Sequence, residues 1–152
     1  MATNEKKMDP EGMVSIHLPS QFGYMRIARQ TVLDFCARSG MSEFQAAQLE
    51  MAVDEACTNI IEHGYSDEQE NTKAGLQMNL SMGTNSVVIE IVDHSPGFDY
   101  EEQGEIQPND YLEDGLCRGL GMFIINNFVD DLEYTKDPEK GNLLRLVKNV
   151  SV

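Results

Sequence analysis

Gly75-Leu76-Gln77-Met78-Asn79-Leu80-Ser81-Met82 and Ser86-Val87-Val88-Ile89-Glu90-Ile91-Val92-Asp93 are two strand-like runs separated only by Gly83-Thr84-Asn85. The first alternates apolar and polar side chains, the two-residue period of a half-buried strand, and a short glycine-containing link suits a hairpin turn. An antiparallel pair is therefore expected at the centre of the fold. On its N-terminal side, Met13-Val14-Ser15-Ile16-His17-Leu18 alternates after Val14 and is stopped by Pro19. Ser20 stands where it can cap a helix running to Arg38, with Met25, Ala28, Val32 and Phe35 at helical spacing and Gly40 as terminator. Ser42-Glu43-Phe44-Gln45 has the form of a capping box that opens a second helix. Ala46, Leu49, Val53, Ala56 and Ile60 form its buried stripe, and His63-Gly64 closes it.

On the C-terminal side, residues 94–118 break every periodicity, with Pro96, Gly97, Gly104, Pro108 and Gly115 among many acids. A stretch of that length reads as a functional loop or lid rather than an idle connection. From Gly119 the pattern is helical through about Asp131, with Asp130-Asp131 as a solvated helix end. Leu132-Glu133-Tyr134-Thr135 and Leu143-Leu144-Arg145-Leu146-Val147 then form a closing hairpin. The order β-α-α-β-β-lid-α-β-β gives an α/β two-layer sandwich, with helices on one face of a mostly antiparallel mixed sheet. Residues 1–11 read as a polar arm and residues 12–152 as one domain.

Composition narrows the function classes. The 152 residues hold 26 acids against 11 Lys and Arg, a formal charge of −15, while 41% are hydrophobic and 24% charged, as in a globular domain. Such a surface repels nucleic-acid backbones and anionic membranes, so neither is expected as a direct partner. The start Met1-Ala2-Thr3-Asn4-Glu5-Lys6-Lys7-Met8-Asp9-Pro10 lacks the apolar core of a secretory signal, and no run approaches the ~18 apolar residues of a membrane span. A cytoplasmic location is expected. Cys36, Cys57 and Cys117 fit neither a disulfide framework nor a zinc pair and read as free thiols. Met41, Met51, Met78, Met82 and Met122 read as core filler.

Three short stretches carry chemistry. Glu55 and Asn59, at i and i+4, project from one face of the second helix, away from Val53, Ala56 and Ile60. A carboxylate beside a carboxamide offers a base next to an oxygen ligand for a hard cation such as Mg²⁺. Asp93-His94-Ser95-Pro96-Gly97-Phe98 ends an apolar strand, placing an acceptor for a ligand amino group beside a glycine that lets backbone come close. Arg118-Gly119-Leu120-Gly121-Met122 leads into a helix, where free backbone N–H groups suit phosphate oxygens. Taken singly, each also has a bland reading: a solvated helix face, a plain turn, a pair of glycines.

Together, in this order and spacing, they resemble the N box and the two glycine boxes of the Bergerat-type ATP-binding superfamily. The likeness is closest to its anti-sigma factor serine/threonine-protein kinase branch. It rests on Val53-Asp54-Glu55-Ala56-Cys57-Thr58-Asn59-Ile60-Ile61-Glu62-His63-Gly64-Tyr65, on Asp93 with Pro96-Gly97-Phe98-Asp99, and on Gly119-Leu120-Gly121-Met122-Phe123-Ile124-Ile125. The resemblance implies a Bergerat-type ATP-binding fold and a kinase using ATP and Mg²⁺. Asn59 would hold the metal and Glu55 would be the general base. Asp93 and Gly97 would form the adenine pocket, and Gly119, Leu120, Gly121 and Arg118 would meet phosphate. It further implies a sigma factor or related regulator as the sequestered partner, a small antagonist protein as the phosphorylated one, and a homodimer. A non-catalytic ATP-binding partner-switching module is the alternative. Two positions depart from the family pattern: Ser95 stands at the first glycine of the Asp-x-Gly-x-Gly box, and Asn142 rather than threonine follows Gly141, where it can still donate a hydrogen bond.

Overall fold

A computed structural model describes residues 12–64, 75–95 and 124–150. Within them the chain forms β1 (Met13–Leu18), α1 (Met25–Arg38), α2 (Glu43–Asn59), β2 (Leu76–Met82), β3 (Ser86–Asp93), a short α3 (124–128), β4 (Asp131–Asp137) and β5 (Gly141–Asn149). A 3₁₀ turn, Phe22–Tyr24, precedes α1, and a π turn, Ile60–Gly64, continues α2. Most of the expected lid, together with Gly97, Arg118, Gly119, Leu120, Gly121 and Cys117, lies outside the described residues.

The strands form one sheet in the order β1-β2-β3-β5-β4. Every neighbouring pair is antiparallel, with Leu76 opposite Asp93 and Asp93 opposite Asn142. The expected mixed sheet is thus corrected for the described strands. β4 runs in the same direction as β3, but β5 lies between them, so no parallel pair forms.

One face of the sheet supplies the core. Leu80, Ile89, Ile91 and Leu146 are fully buried against Val32 of α1, Leu49 and Val53 of α2 and Ile125 of α3. The helical stripes expected from spacing are all buried, namely Met25, Ala28, Val32 and Phe35 on α1 and Ala46, Leu49, Val53, Ala56 and Ile60 on α2. Met51 is not: it is 43% exposed, because it lies about 100° around the helix from the buried Ala52 and about 200° from the buried Val53. Cys36 and Cys57 are free and buried.

Local hydrogen bonding explains where the ends differ from expectation. Ser42 Oγ accepts from Gln45 N at 3.2 Å, so the predicted cap of α2 forms. Gly40, at φ +86°, closes α1 as expected. Ser20, by contrast, does not cap α1. Gln21 N donates to Pro19 O (2.8 Å) and Tyr24 N to Gln21 O (3.1 Å), so two tight turns take up the donors, and the buried Ser20 Oγ has no hydrogen-bond partner. The third helix stops before the predicted end. Asp130 N donates to Val147 O and Asp130 Oδ2 accepts from Asn149 N (2.7 Å), drawing the chain onto β5. Asp130-Asp131 is therefore the entry to β4 rather than a helix end. The buried Lys148 of β5 donates to Phe128 O (2.8 Å) at the end of α3 and to Gln48 Oε1 (2.9 Å) on α2. One ammonium thereby ties three elements and sits where a helix C-terminus favours positive charge.

This packing predicts opposite outcomes for two truncations on α2. Leu49→Ala, at a position with no exposure, should cost about 2–5 kcal/mol in urea unfolding, whereas Phe44→Ala, at 73% exposure, should cost less than about 0.5 kcal/mol.

Candidate functional site

The carboxylate of Asp93, the last residue of β3, is only 3% exposed. An acid so buried needs fixed donors, and it has them. Asp93 Oδ1 accepts from Ser95 N (2.9 Å), from the Ser95 hydroxyl and from Asn142 Nδ2 (3.0 Å). The same Asn142 amide donates to Ser95 O at 2.9 Å, locking the turn after β3 against β5. All these bonds to the carboxylate end on Oδ1, and none of them uses Oδ2. Asn142 is brought there by strand register, because it is the residue directly opposite Asp93.

The close approach of the two strands depends on Gly141, at φ +94°. A Cβ there would lie 2.7 Å from Asp93 O and 2.8 Å from the His94 ring. A cavity of about 330 Å³ opens beside this point, between His94-Ser95 and the turn that joins β4 to β5.

The last turns of α2 lie near the same end of the sheet. The buried Cys57 thiol is pushed up to about 12, first by burial and then by the charges of Asp54 and Asp93, which places Asp93 within electrostatic reach of α2. A thiol held neutral in this way is chemically quiet. Glu55 and Asn59, both half-buried, share a face of α2 apart from the core stripe. Burial raises the proton affinity of Glu55 above that of an ordinary carboxylate, and the neighbouring charges of Asp54 and Glu62 raise it further. Such a group is better suited to take up a proton near neutral pH than a free carboxylate.

Arg29 of α1 offsets part of this acidity. Its Nη1 lies 3.0 Å from Asp54 Oδ1 and its Nε 3.8 Å from Glu50 Oε1. The α2 sequence itself contains no Lys, Arg or His. Among the described residues no cluster of three or more His, Cys, Asp or Glu side chains is spaced to hold a metal.

Of the residues singled out by sequence, Asp93, Glu55 and Asn59 are placed, the first at the end of β3 and the other two on α2, whose Cys57 feels the charge of Asp93. Gly97, Arg118, Gly119, Leu120 and Gly121 fall outside the described residues. Ser95 and Arg29 were not foreseen as parts of the site. Ser95 showed only as a departure from a glycine pattern, and the signal for Arg29 was the absence of any base on the acidic second helix.

Comparison with known proteins identifies the family and the fold. Residues 18–148 match the family model described as a histidine kinase-like ATPase domain. The chain is 30% identical over 145 residues to an anti-sigma F factor of Thermoanaerobacter sp. (strain X514), covering 94% of this chain and 97% of that protein. It is 25% identical over 128 residues to the serine-protein kinase RsbW of Bacillus cereus (strain AH820), covering 82% and 78%. Among solved structures it is similar to the RsbU and RsbW domains of a Mycobacterium tuberculosis protein. The TM-score is 0.64 at 17% identity, over 94% of this chain and 34% of that one, a likeness of fold.

The electrostatics of Glu55 make a prediction about stability. A carboxyl whose affinity for protons is higher folded than unfolded weakens the fold progressively as pH rises from its ordinary value near 4.5 through its folded value. Glu55→Gln removes that weakening, so its urea midpoint should exceed that of the parent at pH ~7 and converge on it near pH ~4. Equal midpoints at neutral pH would contradict the assigned environment.

Proposed function

The chain belongs to the histidine kinase-like ATPase domain family, and from that premise we propose that it is an ATP- and Mg²⁺-dependent serine/threonine-protein kinase of the anti-sigma regulatory type. In the cytoplasm it would hold a sigma factor or related regulator inactive and phosphorylate a small antagonist protein, working as a homodimer. The names of its relatives, an anti-sigma F factor and a serine-protein kinase, support this reading. Among the described residues no helix is long and apolar enough to cross a membrane.

The observation that carries the proposal is the bonding of Asp93. Its Oδ1 is satisfied by Ser95 and Asn142, so the carboxylate is held in one orientation while Oδ2 lies outside that network. A fixed, buried acceptor of this kind suits the exocyclic amino group of adenine, with Gly97 giving the base room. Asn59 would contribute one neutral oxygen to a bound Mg²⁺. That fits a metal that usually takes its remaining ligands from water and phosphate. The ion, when bound, neutralises charge on the triphosphate. Backbone N–H groups of Gly119, Leu120 and Gly121, with Arg118, would meet the phosphates. Glu55 would accept the proton of the acceptor hydroxyl as the hydroxyl oxygen takes the γ-phosphoryl group and ADP leaves. The raised proton affinity of Glu55 favours that role.

The test is transfer of label from γ-labelled ATP, with Mg²⁺, to a small antagonist protein sought among the products of the neighbouring genes. Label should appear on Ser or Thr. Glu55→Gln should lower the rate by about 10²-fold or more, with ATP affinity within about threefold of the parent. Binding of ATP without transfer would instead identify a non-catalytic partner-switching module. Calorimetry separates the binding residues: Asn59→Ala should abolish the Mg²⁺-dependent part of ATP affinity, and Asp93→Asn should weaken ATP relative to GTP. Unchanged affinities would remove both assignments.

A further inference from the structure

The outward face of α2 takes no part in the core. Phe44 is 73% exposed, the most exposed large apolar side chain among the described residues, and Met51 is 43% exposed. Ala47 between them is also exposed. An α-helix turns about 100° per residue, so Phe44, Met51 and Glu55 fall within about 40° of one another, pointing away from the buried stripe of Leu49, Val53 and Ala56. With a rise of ~1.5 Å per residue, the ridge runs roughly 16 Å from Phe44 to Glu55. The capping of α2 by Ser42 does not involve the Phe44 ring, and large apolar side chains left exposed in a row mark contact surfaces more often than solitary ones do.

One rim of this ridge, on the side toward α1, is acidic. From Glu43 to Glu62 the chain carries Glu43, Glu50, Asp54, Glu55 and Glu62 and not one Lys, Arg or His. Arg29 meets Asp54 and Glu50 on the α1 side, and Lys148 on the opposite side meets the neutral Gln48. Glu43, at the start of the ridge, is exposed.

We propose that the Phe44–Met51 ridge is the docking track for the protein acceptor, and that it takes an apolar helical face rimmed with Lys or Arg whose Ser or Thr then lies over Glu55. The inference rests on the kinase reading of Glu55 and adds the chemistry of the partner to it. Apolar contacts at helical spacing supply affinity, and the opposed charges fix the register and reject acidic helices. The formal charge of −15 adds long-range attraction for the same partner.

The chain contains no tryptophan, so Phe44→Trp gives a single fluorescent reporter on the ridge. The probe is a synthetic helical peptide with two leucines seven residues apart, lysines flanking them, and a serine eleven residues from the first leucine. The emission of the reporter should shift to the blue on binding, and salt should weaken the complex. The lysine peptide should bind at least about tenfold more tightly than versions with Glu for Lys or Ser for Leu. Met51→Ala should weaken binding about tenfold at unchanged thermal midpoint and unchanged ATP affinity. With Mg²⁺ and ATP the peptide serine should be phosphorylated, with a higher KM in Met51→Ala. No binding, equal affinity for the Lys and Glu peptides, or indifference to Met51→Ala overturns the docking track. Ridge-dependent binding without transfer supports the surface and overturns the kinase reading, whereas transfer with a KM indifferent to the ridge does the reverse.

Discussion

Burying a carboxylate in a protein interior is expensive unless donors are built around it, and in this chain that constraint organises one whole end of the sheet. Asp93 is held by the turn residue two positions later and by the residue opposite it on β5. To meet it, β5 must run antiparallel and in one register, since a slip of one residue would turn Asn142 to the other face. The sheet order, the β4–β5 hairpin and the turn after β3 therefore serve a single acid. In the proposed function that acid selects the nucleotide base.

The second helix shows the opposite economy. Its inner face is apolar and fully packed, while Glu55 on its outer face has burial and two neighbouring carboxylates set against its charge. Nothing about the fold needs this arrangement, and a neutral side chain would sit there more comfortably. Functional residues are where such conflicts concentrate. Arg29 pairs from the neighbouring helix with Asp54, one of those carboxylates, which makes α1 part of the electrostatic setting of α2 as well as part of the core.

The architecture was largely legible in the residue pattern. Helical stripes, the Ser42 cap, the Gly40 terminator and both hairpins follow from short-range periodicity and turn chemistry, and they recur in the structure. What was not legible depends on contacts distant in sequence. Asp130-Asp131 looked like a helix end because the bonds that draw it onto β5 come from Val147 and Asn149. Ser20 looked like a cap because the competing turns at Pro19 and Gln21 leave no pattern. Met51 reads as core by residue type, although its angular position on the helix already points outward. In the site, Asp93 and the capacity of Asn142 to donate were visible, whereas the part played by Ser95 needed the three-dimensional turn.

Gly141 carries an evolutionary consequence. Any missense change of a glycine codon adds at least a Cβ, and at this position that atom would press on the carbonyl of Asp93 and the ring of His94. Every replacement at 141 meets both this closed space and the positive φ, unlike replacements at the exposed positions of β4. A change to this bonding network would have to come through the residues that meet the acid, with the glycine beneath them left in place.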